Sequence, residues 1–153
     1  MKKIVIIFVI SIAILGSICY SYSQKKISDN KKIANYDKYQ KMLNTQILGT
    51  DLASLINESI DKNKDNEVKD DDNGLYIEND TNSIIIDVKF LDSDSSIRGE
   101  KIYLNGIHRF VELYGSSEFK CTKVEFHKKT YEIKYLSFEE ISDSEDANNT
   151  AND

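Results

Sequence analysis

The first hydrophobic pattern in the chain is an uncharged apolar run from Ile4 to about Cys19. It softens over Tyr20–Ser23 and is bracketed by Lys2-Lys3 and Lys25-Lys26. About 20 residues of helix cross the hydrocarbon core of a bilayer, and Ile4–Ser23 has that length. Helical spacing follows. Ile33, Tyr36, Gln40 and Leu43 recur imperfectly at that period, which predicts a helix from Lys26 to Leu43, a stalk leaving the membrane. The stretch Thr45–Gly49 reads as a short strand or turn. Thr50 is a candidate N-cap, with Asp51 placed to complement the helix dipole. Leu52, Leu55, Ile56 and Ile60 form one apolar stripe and predict a helix over Asp51–Asn63.

The second half changes period. Leu75–Glu78 and Ser83–Phe90 flank the turn-rich Asn79–Asn82 and read as an antiparallel pair, with Ile84, Ile86, Val88 and Phe90 on one face. Leu91–Glu100 reads as a polar loop. Tyr103, Ile107, Phe110, Val111 and Tyr114 predict a helix over Glu100–Tyr114, with Gly115 as its C′ stop. Glu118–Phe126 and Tyr131–Phe138 read as a hairpin around His127–Thr130. Thr122, Val124 and Phe126 alternate along the first strand, and Tyr131, Ile133 and Tyr135 along the second.

Helix, two strands, helix, two strands is most economically closed as an α+β domain, a four-stranded, mostly antiparallel sheet with two helices on one face. The expected organisation is a transmembrane signal-anchor over 1–23, a basic helical stalk over 24–44, a small α+β domain over 45–141 and an acidic disordered tail over 142–153. A domain of that size buries a modest core without staples.

Charge sharpens this division. The chain has 153 residues and a formal net charge of −6, which gives no reason to expect a nucleic-acid partner. Gln24–Asn44 holds six Lys and two Asp, Asp61–Asp80 eight acids and three Lys, and Glu139–Asp153 six acids and no base. The last composition suits a solvating tail.

Three readings compete for the amino terminus. It is a retained signal-anchor helix, a signal peptide cleaved near Ser21-Tyr22-Ser23, or a segment lipidated at Cys19. Ile18 stands where a lipobox needs a small residue, which weighs against the last. Counting lysines would place the long flank in the cytoplasm. The Lys-Lys start followed at once by an apolar run has the shape of an export signal, so the main domain is expected outside the cytoplasm. Cys19 and Cys121 make no disulfide framework, and Cys121 reads as a small buried hydrophobe.

The candidate chemistry is sparse. From Asp61, the loop DKNKDNEVKDDD places Asp61, Asn63, Asp65 and Asp72 at positions 1, 3, 5 and 12 of a calcium loop, with Val68 at the apolar position 8. Asn66 replaces the Gly of position 6, Asp72 is short for bidentate reach, and the following segment reads as a strand. The loop is therefore read as solvated, with calcium as the alternative. His108 and His127 have no partners at metal-ligand spacing. There is no phosphate loop and no nucleophile elbow, and the expectation is a protein that is not an enzyme and has no cofactor.

A long amino-terminal helix, apolar then amphipathic, before a small sheet domain resembles the architecture of type IV pilins and pseudopilins. The prepilin motif is absent, since the chain starts Lys-Lys-Ile-Val-Ile and its apolar segment contains no acid. The segment LGTDLASLINESIDKN, about one tenth of the chain, is similar to small membrane-anchored proteins of unassigned function from low-GC Gram-positive bacteria. The resulting expectation is a single-pass protein held by its amino-terminal helix, acting as a protein-interaction or structural module of the bacterial envelope. A pilin-like assembly component and a small ligand- or calcium-binding domain are the alternatives.

Overall fold

The computed structural model describes residues 36–142, together with Ser17, residues 20–26, Asn30 and Ile33. The chain divides into two compact units, Met1–Ala34 and Asn35–Asp153. In the first, the described residues are helical. The expected span Ile4–Ser23 lies mostly outside the described residues, and among those described no helix is long and apolar enough to cross a membrane. The expected acidic tail also lies outside them from residue 143 onward.

The second unit is α+β. Its elements are β1 (Gln46–Leu48), α1 (Gly49–Asp65), β2 (Ile85–Lys89), β3 (Ile97–Arg98), α2 (Gly99–Leu104), α3 (Ile107–Tyr114), β4 (Glu118–Phe126) and β5 (Ile133–Glu140). They form one five-stranded sheet in the order β1-β4-β5-β2-β3. β2 runs parallel to β5, and the other three pairings are antiparallel. The four-stranded expectation is thus corrected to a mixed sheet of five, and the two expected helices to three.

Each departure has a local cause. Leu75–Glu78 does not pair with β2. Asp71 Oδ1 accepts the backbone N–H groups of Asn73 and Leu75, each at 2.9 Å, and Asp71 N–H bonds Leu75 O at 2.9 Å. The chain therefore folds back on residues 69–71 and leaves only an isolated bridge, Asp70 to Tyr76. The helix expected over Glu100–Tyr114 breaks at Asn105-Gly106, where Gly106 takes φ 102°, a conformation open to glycine and costly for other residues. Gly115 ends α3 with φ −59°, so it is not the left-handed stop expected of it.

The start of α1 is also built differently from the pattern. The helix begins at Gly49, and no side chain caps it. Its first donors are met by main chain beyond α3, with Gly49 N–H on Ser117 O at 2.9 Å and Thr50 N–H on Gly115 O at 3.2 Å. These carbonyls satisfy orphan groups that Thr50 was expected to cap with its hydroxyl. The approach is close enough that a Cβ on Gly49 would stand 1.8 Å from Tyr114 O.

The core lies between the helices and one sheet face. From α1 come Leu52, Ala53, Ile56 and Ile60, which are buried together with Ile84, Ile86, Val88 and Phe90, the face expected of β2. β4 and β5 contribute Phe119, Cys121, Ile133, Leu136 and Phe138, and α2 and α3 contribute Ile102 and Phe110. A register shift between Cys121 and Lys123 explains how Phe119 and Cys121, then Val124 and Phe126, all pack on this core although their parity changes. An extra residue in one strand turns the following side chains to the other face, so Thr122 is exposed where alternation placed it beside Val124. Residues 36–40 are helical, and Tyr39 is 4% exposed against Leu55, Ser59, Ile86 and Leu136. The end of the expected stalk thus contributes to the domain's core.

Candidate interaction groove

Phe90, Phe110, Phe119 and Tyr114 stack beside the outgoing end of β2. Phe90 and Tyr114 have ring centroids 4.6 Å apart, Phe110 and Tyr114 5.6 Å, and Phe90 and Phe119 6.1 Å. Phe119 also meets Phe110, with centroids 6.1 Å apart. On the open side of this cluster lies a groove of 660 Å³, lined chiefly by Phe90, Ile97, Ile102, Phe110, Leu113 and Tyr114. Local sequence explains the placement. The break at Asn105-Gly106 lets α3 restart at a new angle, and Gly106, Arg109, Phe110, Leu113 and Tyr114 then repeat at helical spacing along one wall. Leu113 is 63% exposed and Ile97 36% exposed, so two large apolar side chains stand on the rim in water. Arg109 and Asp92 supply the polar margin.

The opposite face of the sheet has a different character. Across it Lys89 registers with Glu139, Glu139 with Lys120, and Lys120 with Gln46. Alternating charge in neighbouring strands neutralises itself and stays hydrated. Tyr135 stands on this face and donates its hydroxyl proton to Asp87 Oδ2 at 2.9 Å. Burial first, and then that hydrogen bond, push the Tyr135 hydroxyl up to about 12. Asp87 Oδ1 has no hydrogen-bond partner. At the neighbouring edge Arg98 grips Glu100 through Nη2 at 2.5 Å and Nε at 3.1 Å, which compensates a carboxylate only 3% exposed. Burial alone would lower the Arg98 guanidinium pKa, but the hydrogen bond and charge of Glu100 outweigh it and the net direction is upward.

Three of the four candidate calcium ligands, Asp61, Asn63 and Asp65, lie inside α1. Alternate positions on a helix point about 200° apart, so Asn63 faces away from Asp61 and Asp65 and the three do not converge as they would on a loop. Asn63 is fully buried and committed. Its Nδ2 donates to Ile84 O at 2.7 Å, and its Oδ1 accepts from Ile84 N–H at 2.8 Å. Asp61, Asp65 and Asp72 are exposed. Among the described residues no three His, Cys, Asp or Glu side chains are grouped to hold a metal ion.

The histidines separate in the same way. His108 is exposed on α3. His127, expected at a turn, is 2% exposed, and its Nε2 donates to Ser83 O at 2.8 Å while Nδ1 has no partner. With Thr130 Oγ1 bonding Thr81 O at 2.6 Å, it clasps the β4–β5 turn to the segment before β2. A second cleft of 660 Å³ opens here among Tyr36, Gln40, Asn79, Phe126 and Lys128. Other cations near its rim are paired, Lys129 with Asp80 at 3.3 Å and Lys134 with Glu78 at 2.7 Å. Burial raises the Cys121 thiol pKa, which keeps that group protonated and unreactive at neutral pH.

Sequence periodicity does not disclose the aromatic groove. The signal that points to it is Asn-Gly at 105–106, a turn dipeptide inside a helical pattern, with Leu113 outside the buried stripe. Comparison with protein-family models, curated proteins and solved structures finds no match.

Proposed function

We propose that the chain is a single-pass, membrane-anchored module that acts outside the cytoplasm by binding another protein of the bacterial envelope. The observation that supports this most directly is the groove whose rim exposes Leu113 and Ile97 beside polar residues, because exposed apolar side chains rimmed by polar ones are a feature of protein-docking surfaces. The self-neutralised face of the sheet suits contact with water. The uncharged run Ile4–Ser23 supplies the anchor in this reading.

The test places a photoreactive residue at Leu113 in the full-length chain within its native membranes. A second chain carries it at Asp61, exposed on α1 and remote in sequence from the groove. A discrete adduct from position 113 that is lost on adding Ile97→Asp would support a docking groove. Equal labelling at both positions, or none at 113, would remove it.

A further inference from the structure

We infer that the occupant of the aromatic groove is a second copy of this chain, held by a two-fold contact in which Leu113 of each copy enters the groove of the other and Arg109 pairs with Asp92 of the partner subunit. This rests on the docking reading of the groove and adds the identity of what docks there.

A two-fold contact uses the same patch on both sides, so the patch must complement itself. It needs a projection and a hollow, and a cation and an anion, all on one surface. The groove carries each of them. Its hollow of 660 Å³ is walled in part by Phe90, Phe110 and Tyr114. Beside it Leu113 is 63% exposed, a large apolar side chain standing in water. Arg109 lines the groove from α3, and Asp92 lines it from the segment that follows β2.

The two charges are available to a partner. Both side chains are exposed, and among the described residues neither forms an ion pair, with each other or with any other group. The second cleft differs in this respect, because its Lys129 and Lys134 are already answered by Asp80 and Glu78. A two-fold axis repeats the Arg109–Asp92 pair, so each dimer holds two. Ion pairs on a wet rim add little to affinity. Their effect is on register, since they admit one orientation and oppose those that bring like charges together. Attraction comes from removing Leu113 and Ile97 from water. A contact of this size is small on its own. Confining anchored chains to one membrane raises their effective concentration, so a weak contact suffices.

The test reconstitutes the full-length chain in liposomes, with a donor fluorescent domain at the carboxyl end of one population and an acceptor on the other. Energy transfer is followed as the protein is diluted with lipid. The parental chain should transfer well above the level of randomly placed chains. Arg109→Asp puts acid opposite acid at both contacts, and Asp92→Arg puts base opposite base at both. Each variant alone should associate about tenfold more weakly. A mixture of the two variants should recover the parental transfer, because one contact is then parental and the other is the same pair reversed. Damage to the fold of either variant would not be repaired by mixing. Flotation of the liposomes reads the anchor separately, and chains that do not float are compared in solution in the same three combinations. Random transfer from the parental chain, single variants equal to the parent, or no recovery on mixing would each overturn the two-fold contact. Random transfer combined with a discrete adduct from position 113 to a different protein in native membranes would exclude the second copy and leave the docking groove standing. Random transfer with no adduct would remove both.

Discussion

Asn63 shows how much a single side chain decides here. As one of the expected oxygen ligands it belongs to a loop; in the fold it substitutes for a missing strand partner, meeting both backbone groups of Ile84. Asn63→Leu has a similar volume but leaves a buried N–H and a buried carbonyl unpaired. The expected loss is roughly 2–6 kcal/mol, since each of the two unsatisfied groups costs about 1–3. Urea unfolding would measure it, and a parental midpoint would refute this role for Asn63. Tyr135 provides a second test at the same scale. The folded chain keeps its hydroxyl proton up to about 12, whereas the unfolded chain releases it near the ordinary tyrosine value of 10.0. In that window the folded state binds more protons, so stability should fall as pH rises from about 10 to about 12. Tyrosinate absorbance should show a late-titrating group near pH 12 that Tyr135→Phe removes; an unchanged titration would rule out Tyr135 as that group.

At the scale of elements, the junction between α1 and α3 should be the least tolerant place. Gly49→Ala would drive a methyl group into the Tyr114 carbonyl, and main chain on both sides must separate to admit it. The strain opens the Gly49–Ser117 and Thr50–Gly115 bonds together, so a loss of several kcal/mol is expected, large against a total of about 5–15. A thermal melt of the variant within a degree or so of the parent would show that the helices are not held this way. α1 itself was legible as an amphipathic stripe, and Leu52, Ile56 and Ile60 are buried as that stripe implies. Its expected bounds, Asp51–Asn63, differ from the observed Gly49–Asp65 by two residues at each end. Lys62 supports the last turns of this helix, pairing with Glu58 one turn back at 2.7 Å. With Asp61, Asn63 and Asp65 on that helix, millimolar calcium should leave the melting temperature unchanged. A calcium-specific rise that disappears in the Asp61→Ala, Asp65→Ala double variant would restore the loop reading.

For the whole molecule, the proposed anchor and the domain make separable demands. If Ile4–Ser23 spans a bilayer, the full chain should remain with membranes after a high-salt wash and leave only with detergent. Recovery in the medium of a chain beginning near Gln24 would instead establish cleavage. The sequence alone determined the α+β class, the buried face of β2, the β4–β5 hairpin and the stripe of α1, because neighbours within a few residues encode those periods. Tertiary structure alone decided that β2 lies parallel to β5 and that Asp87 meets Tyr135 across 48 residues of chain. It also decided that His127 is buried, that Asn63 supports Ile84, and that α3 turns away to open the groove. None of these has a periodic signature. Strand order and the partners of buried polar groups depend on how distant segments close over a common core, and a linear pattern of apolar positions carries no record of that closure.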